Sequence, residues 1–246
     1  MLVEEIMTKE VVAIGPEMPI GDVHILMERR NVRHFPVLEV AQVRASKNSH
    51  SQASIEQELA SPNPAGPLDD DDAKLVGIVS DRDIRAVGSP LPNAKQGVTL
   101  QDPVRRIMVS PVLSAHPLDP IEESASVLRE HKIGAMPVLN GDTLVGIVTS
   151  TDFLESLVKM TGVQGAATRL EIEVENRPNA LARLVAAVAE EDVGILSVLT
   201  HTRDAADEGT ICFVLRVDTI DGRGLANSLR EKGFRVLWPP EKGRQP

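Results

Sequence analysis

The sequence has little cysteine, fewer basic than acidic residues and no long apolar run, and each of these features argues against a class of protein. It has one cysteine, Cys212, so no disulfide can form within the chain. Lysine and arginine number 26 against 36 acidic residues, and the net charge of −10 argues against a general binder of nucleic acid or anionic membranes. No run approaches the roughly 18 to 20 apolar residues of a membrane-spanning helix. The opening residues resemble no secretory signal, so we expect a cytoplasmic protein.

Aromatic residues are also scarce, at 2%, and tyrosine is absent, but the composition is otherwise that of a folded globular protein. Hydrophobic residues make up 42% and charged residues 25% of the chain. A length of 246 residues exceeds what one compact domain usually needs. The sequence therefore predicts two or three domains.

An internal repeat occupies the first two thirds of the chain. Residues 3–38 align without a gap with residues 104–139, at a constant offset of 101. A second match joins GIVSDRD at 77–83 to GIVTSTD at 146–152, at an offset of 69, so the first repeat carries 32 extra residues. These lie within 40–74, which is rich in Ser, Ala, Asn, Pro and acidic residues and shows little periodicity, as is typical of a mobile loop.

The patterning within each repeat predicts strand, helix, strand, strand, helix. Such a βαββα unit is too small to bury both faces of its sheet, so we expect the two copies to pack as a pair. From Thr168 the pattern changes to βαββαβ, which suits a ferredoxin-like antiparallel sheet with two helices on one face. The predicted fold class is therefore mixed α/β for the repeats and α+β for the third unit.

The repeated heptapeptide places a hydroxyl and a carboxylate where a strand ends and a helix starts. Ser80 and Asp83 hold these positions in the first repeat, and Thr149 and Asp152 in the second. A carboxylate there can accept from both ribose hydroxyls, and the hydroxyl and helix amides can serve a phosphate. The same residues could instead only cap the helices. The occurrence of the pattern in both repeats favours the ligand interpretation.

The paired units, with IMTKEVVAI, NVRHFPV and GIVSDRD in the first and IMVSPVLSA, KIGAMPV and GIVTSTD in the second, resemble a tandem CBS-domain (Bateman) module. The third unit resembles an ACT domain, through the turn from Asn176 to Leu181. A CBS pair followed by an ACT domain is similar to the AcuB-like proteins of acetoin utilisation. The expected divisions are CBS repeat 1 at 1–39 and 75–93, the insert at 40–74, CBS repeat 2 at 94–160, a linker at 161–167, the ACT domain at 168–240 and a tail at 241–246.

The CBS resemblance implies a regulatory protein that binds AMP, ADP, ATP or another adenosine compound in two composite clefts between the repeats. The cleft expected to bind better uses Thr8, Val12, Ala13, Arg33, His34, Ile147, Thr149 and Asp152. The second cleft uses Ile78, Ser80, Arg82, Asp83, Val109, Leu113 and Ser114. The first cleft is preferred because Arg33 and His34 match Gly134 and Ala135 in the second repeat, and because Val109 lacks the hydroxyl of Thr8.

The ACT resemblance implies a small regulatory ligand, such as an amino acid, at the turn of Asn176, Pro178, Asn179 and Leu181, or a role in dimerisation alone. Asn179 stands where the family has a glycine, and Asn176 where it has an acid. Both substitutions leave the two roles open.

No catalytic or metal-binding pattern competes with this interpretation. The sequence has no nucleophile elbow, P-loop or zinc-ligand spacing, and the acidic run Asp69–Asp72 is typical of a solvated charge run. Cys212 lies in an apolar strand and is expected in the core. We therefore expect no catalytic cofactor and no metal, a homodimer, and a regulated protein partner that the sequence does not identify. The alternative function is a constitutive assembly module with empty clefts.

Overall fold

The computed structural model describes residues 1–40, 73–89, 95–163, 165, 167–202 and 209–241. Most of the predicted insert 40–74, including Asp69–Asp72, and most of the tail 241–246 lie outside the described residues. The chain divides into two compact units, Met1–Phe153 and Leu154–Pro246. Among the described residues, no helix has both the length and the apolar character to cross a membrane.

The two repeats contain matching sets of elements, and the division between the two units falls within the last of these elements. The first repeat has helix α1 (Ile20–Arg30), strands β1 (His34–Val40) and β2 (Ala73–Ser80) and helix α2 (Asp81–Arg85). The second has helix α3 (Ile121–His131), strands β3 (Ala135–Asn140) and β4 (Thr143–Thr149) and helix α4 (Ser150–Met160). Short 3₁₀ turns at Val3–Glu5 and Val104–Arg106 precede these elements and were not predicted.

The long helices of the two repeats begin and end at equivalent residues. Helix α1 follows Pro19, and its C-cap is Asn31, whose φ of 52° is left-handed. Helix α3 follows Pro120 and ends at Lys132, with φ of 54°. Proline fixes a backbone angle suited to a helix start, and a left-handed residue closes the last turn. The repeated proline thus accounts for the common helix start, while Lys132 takes a conformation that its side chain does not favour.

The two hairpins have the same register and the same irregularity. Strands β1 and β2 pair antiparallel with a register shift between Val37 and Leu38. Strands β3 and β4 do so with a shift between Val138 and Leu139. The predicted first strand of each repeat is reduced to one parallel bridge, Ile14 to Val37 and Ala115 to Val138. The expected βαββα order is therefore present with a first strand shortened to a single pairing.

The leading segment of each repeat packs into the core of the other repeat. Val3 is fully buried in a cluster with Met136 and Val148 of the second repeat. Val104 and Ile107 are fully buried in the cluster of the first repeat, which includes Phe35. This exchange buries apolar surface that a single repeat would leave exposed. It also brings residues of both repeats to each strand end.

The second unit has the predicted βαββαβ order. Its strands are β5 (Thr168–Glu175), β6 (Ile195–His201), β7 (Thr210–Val217) and β8 (Arg235–Trp238), and its helices are α5 (Ala180–Ala189) and α6 (Gly222–Glu231). The strands form an antiparallel sheet in the order β6-β7-β5-β8. The core joins one sheet face to the helices, with Leu170, Ile172, Leu184, Leu215 and Leu229 fully buried.

Candidate functional site

The hydroxyl and carboxylate of the first heptapeptide bond to each other at the start of α2. The hydroxyl of Ser80 donates to Oδ2 of Asp83 at 2.6 Å, and the backbone amide of Ser80 donates to the same oxygen at 2.9 Å. The amide of Asp83 in turn lies 3.4 Å from the Ser80 hydroxyl oxygen. This reciprocal arrangement is a capping box. The capping role predicted as the alternative is therefore present.

The second heptapeptide repeats this geometry closely. The hydroxyl and the amide of Thr149 each donate to Oδ2 of Asp152 at 2.7 Å. The amide of Asp152 lies 3.4 Å from the Thr149 hydroxyl oxygen. Because both copies have the same bonds, capping does not distinguish one strand end from the other. What distinguishes them is the set of side chains around each.

Backbone hydrogen bonds join each strand end to the opposite repeat. Thr8 and Ile147 exchange amide-to-carbonyl bonds of 2.9 and 3.0 Å. Ile78 and Val109 exchange bonds of 2.8 and 3.1 Å in the same way. The structure therefore brings together residues that are 139 and 31 positions apart in the chain. The composite character of the two strand ends results from the exchange of leading segments.

A cavity of about 660 Å³ opens beside Asp83 in the first unit. This volume lies within the range of about 300–1,000 Å³ typical of small-molecule sites. Four cationic side chains line it against two acidic ones; the cations are Arg33, Arg82, Arg85 and Lys132, and the acids are Asp81 and Asp83. The charge of this cavity is thus opposite in sign to the net charge of the whole chain.

The rest of the cavity wall is largely apolar. Val109 and Leu113 of the second repeat line it while remaining 50% and 43% exposed. Ile78 and Ile133 contribute further apolar surface. Large apolar side chains that are exposed on a concave surface are a common feature of ligand sites. The cavity therefore combines a basic part with an apolar part.

His34 lies in the wall of this cavity, opposite Ser80 in the register of β1 and β2. Burial lowers the pKa of His34 below 6.5, and the charge of Arg33 acts in the same direction. The carboxylates of Asp81 and Asp83 act against this lowering. The net direction is downward, so the neutral imidazole is the predominant form at pH 7.

The structure gathers most of the predicted second cleft into this cavity. Ile78, Ser80, Arg82, Asp83, Val109 and Leu113 all line it. Ser114 is exposed and is not part of the wall. The sequence analysis had assigned Arg33 and His34 to the cleft of Asp152. Both residues also line the cavity beside Asp83. The reason is the hairpin register, since His34 is the Cα partner of Ser80.

The remaining residues of the first predicted cleft are placed differently. Thr8 is exposed and bridges to Ile147, which is half-buried against a small apolar cluster. Ala13 is fully buried and Val12 packs against the core of the first repeat. The wall of the Asp83 cavity, within the described ranges, includes neither Thr149 nor Asp152.

The segment from His131 to Ala135 closes the cavity from the second repeat. The sequence analysis named Gly134 and Ala135 as the equivalents of Arg33 and His34 but placed no residue of this segment in either cleft. Lys132 supplies a cation and Ile133 an apolar side chain. A Cβ added to Gly134 would lie 3.0 Å from the His34 ring, so the two repeats approach closely at this point. The available signal was the repeat itself, because this segment is equivalent to the one before Phe35.

In the second unit, a cavity of about 380 Å³ lies beside the predicted effector turn. Asn179 lines it together with Arg177, Arg183 and Lys232, whereas Asn176, Pro178 and Leu181 are exposed and are not part of its wall. Asn179 has φ of −102°, so the left-handed conformation that asparagine tolerates is not used here. The turn is thus compatible with a side chain at the position where the ACT family, which this unit resembles, has glycine.

Comparison with known proteins gives matches to CBS domains. The CBS domain model matches residues 3–42 and 104–159. A CBS domain-containing protein of Dictyostelium discoideum is 34% identical over 101 residues, which cover 38% of this chain and 69% of that protein. The uncharacterized protein MJ1404 of Methanocaldococcus jannaschii is 26% identical over 188 residues, which cover 64% of this chain and 44% of that protein. The chain thus spans less than half the length of MJ1404.

Two solved structures are similar to the chain over about two thirds of its length. A putative acetoin utilization protein, AcuB, from Vibrio cholerae is 28% identical, with a TM-score of 0.45, and the match covers 67% of this chain and 95% of that one. The CBS domain pair of MJ0100, solved with 5′-methylthioadenosine and S-adenosyl-L-methionine, is 21% identical with the same TM-score. That match covers 65% of this chain and 97% of the other.

Proposed function

The chain belongs to the family of CBS-domain proteins, and from this premise we propose that its tandem CBS pair is a non-catalytic regulatory module that binds an adenosine nucleotide beside Asp83. The nucleotide shifts the equilibrium between arrangements of the repeats, and a protein partner responds to that shift. A role of the AcuB type, in the regulation of acetoin utilisation, is the form of this proposal that the domain order favours.

The observation that carries the proposal is the basic cavity within an acidic protein. Arg33, Arg82 and Lys132 converge on it, while Arg85 pairs with Asp81 at 2.6 Å. A phosphate group is the small ligand that such a cluster accommodates best, because several cations share its charge and can donate hydrogen bonds to it. Repulsion among the cations is then relieved when the anion binds.

The ribose and base of a nucleotide match the remaining parts of the wall. The hydrogen bonds from Ser80 to Asp83 use Oδ2, and we propose that Oδ1 accepts from a ribose hydroxyl. Hydrogen bonds to a charged group contribute about 1.5–3 kcal/mol each. Val109 and Leu113 offer apolar surface to the faces of a purine. The capping box and ribose binding are compatible, because they use different oxygens of one carboxylate.

Calorimetric titration of the full chain with AMP, ATP, S-adenosylmethionine and adenosine tests the proposal. These probes include the class of ligand named for the MJ0100 domain pair. We expect saturable binding of at least one phosphorylated compound, tighter than that of adenosine. A thermal shift should accompany it, since ligand at 100 times Kd adds about 2.7 kcal/mol of stability. Absence of binding by every adenosine compound would reject nucleotide sensing and favour the constitutive assembly module.

We further propose that the second unit acts as an ACT domain, for dimerisation or for a second small ligand. Its antiparallel βαββαβ fold and the cavity at Asn179 support this assignment. Sedimentation analysis of the full chain tests dimerisation, and we expect a homodimer at micromolar concentration. Titration with a panel of amino acids, in wild type and Arg183→Ala, tests the ligand. A monomer that binds no amino acid would remove both roles.

A further inference from the structure

Three side chains of different chemistry meet on the sheet of the second unit. Glu171 of β5, His201 of β6 and Cys212 of β7 each place one donor atom so that all three lie within 4.8 Å of one another. Glu171 and His201 are 30 residues apart in the chain, and His201 and Cys212 are 11 residues apart. The register of the strands brings them together. His201 and Cys212 are Cα partners, and Glu171 lies two residues before Glu173, the other partner of Cys212.

The cluster lies on the face of the sheet that the helices do not cover. Ile172 and Phe213 are buried with the helices, and side chains alternate between faces along a strand. Glu171 and Cys212, one position away, therefore point to the opposite face. Cys212 is 1% exposed, whereas the side chain of His201 is 45% exposed. An ion could thus approach past the imidazole and reach a thiol shielded from water.

Neighbouring groups hold the imidazole and the carboxylate in the orientation that a metal ion needs. Nε2 of His201 lies 3.5 Å from Oε1 of Glu171, and Nδ1 lies 3.4 Å from the carbonyl oxygen of Thr202. Nη2 of Arg169 donates to the other carboxylate oxygen, Oε2, at 2.7 Å. In metal sites the second ring nitrogen commonly bonds to a carbonyl, and ligating carboxylates are themselves hydrogen-bonded. Nε2 and Oε1 lie 3.5 Å apart, and each of the two side chains has a donor atom within 4.8 Å of the Cys212 sulfur.

We propose that Glu171, His201 and Cys212 form a binding site for a divalent transition metal ion of the zinc class. Oε1, Nε2 and the thiolate Sγ supply three ligands, and water completes the tetrahedron. Nitrogen and oxygen ligands each about 2.0–2.1 Å from a tetrahedral ion lie roughly 3.4 Å apart, close to the 3.5 Å observed. Magnesium and calcium are disfavoured, because they prefer oxygen ligands alone.

Cobalt titration of untagged, reduced, chelator-treated full chain tests this site. Co²⁺ is the probe because a bound thiolate gives it a charge-transfer absorption that imidazole and carboxylate do not. We expect this band to saturate at one equivalent of Co²⁺ and to disappear when Zn²⁺ is added. A wild-type protein without the band, or with binding well below one equivalent, would overturn the proposal.

Variants of the three proposed ligands distinguish a three-ligand metal site from adventitious binding of the ion to the thiol alone. His201→Ala and Glu171→Gln should each weaken cobalt binding by roughly tenfold or more while the band persists at high metal. Cys212→Ser should abolish the band; because this side chain is buried, its folding must be checked by circular dichroism. His116→Ala, in the first unit, is the matched control and should match wild type. A band that His201→Ala and Glu171→Gln leave unchanged in affinity would also overturn the proposal.

Discussion

The strand ends at Asp83 and Asp152 have nearly the same backbone but different surroundings. Each aspartate accepts from a hydroxyl residue three positions earlier, and each strand bonds to the leading segment of the other repeat. Around Asp83 lie Arg82 and Arg85, which the second copy replaces with Thr151 and Leu154. The residues opposite the hydroxyls also differ, since His34 faces Ser80 and Ala135 faces Thr149.

The comparison separates architecture from ligand chemistry. Capping and pairing between the repeats are preserved in both copies, so these features maintain the fold. Arg33, Arg82, Arg85 and Lys132 surround the strand end at Asp83, which is why we propose charge recognition at that strand end. A scaffold built from two copies of one unit can keep its packing constant while the side chains at one strand end differ. The predictions below test that separation.

The largest expected effect is that of Asp83→Asn on nucleotide binding. The amide keeps the shape of the carboxylate but removes its charge, so calorimetry should show roughly a tenfold to hundredfold loss of AMP affinity. Asp152→Asn is the matched control, because it alters the same capping bonds in the other repeat, and it should change AMP affinity little. If Asp152→Asn causes the loss and Asp83→Asn does not, the assignment of the site is wrong.

The next effect is that of making the first repeat resemble the second. The double change Arg33→Gly with His34→Ala introduces the residues found at the equivalent positions, 134 and 135. We expect about a tenfold loss of affinity for AMP with little change for adenosine, because the removed side chains belong to the polar part of the cavity that we propose for the phosphate. Equal losses for AMP and adenosine would show that these residues shape the cavity and do not recognise charge.

A smaller effect should be the same in both repeats. A Cβ at Gly77 would meet the side chain of Met108, and one at Gly146 would meet Met7 and would also lie 3.2 Å from the carbonyl oxygen of Thr8. Gly77→Ala and Gly146→Ala should each destabilise the protein by about 1 kcal/mol, since overpacking is costly but a methionine side chain can move. Chemical unfolding measures both. If Gly77→Ala and Gly146→Ala lowered the free energy of unfolding by very different amounts, the view that the two repeats share one architecture would be contradicted.

The smallest effect concerns the protonation of His34. Its pKa is lowered in the folded protein, mainly by burial, so below pH 6.5 the unfolded chain takes up this proton more readily. Stability from this group is therefore complete above pH 6.5 and falls as pH drops toward the lower folded value. NMR titration, with His34→Ala to assign the resonance, should give a pKa below 6.5 that rises when AMP binds. A pKa at or above 6.5 without ligand would contradict the burial.

Much of the fold could be predicted because it depends on local pattern. Pro19 and Pro120 mark the helix starts, and the apolar runs before Ser80 and Thr149 mark the strands. The predicted first strand was less reliable, because its pairing is limited to one bridge such as Ile14 to Val37. Short strands leave a weak pattern, since their formation depends on a partner that is distant in the chain.

The candidate site was predictable only in part. The sequence identified Ser80 and Asp83 from a repeated motif, and Arg33 and His34 from a difference between the repeats. It assigned the last two to the strand end at Asp152, whereas the structure places them in the wall of the cavity beside Asp83, because no local pattern shows that His34 pairs with Ser80. Lys132 was missed for a similar reason, as it ends a helix in the other repeat and reaches the cavity only in the folded pair.

The sequence by itself determined the repeat, the order of the elements and the hydroxyl–carboxylate pair at each strand end. These features follow from composition and spacing along the chain, because local backbone preferences depend on residues that are close in sequence. Only the tertiary structure decided which strand end has the basic cavity, and which residues of β5, β6 and β7 meet at Cys212. The reason is that both sites depend on strand register and on the exchange of segments such as Val3 between repeats, and these follow from the burial of the whole unit.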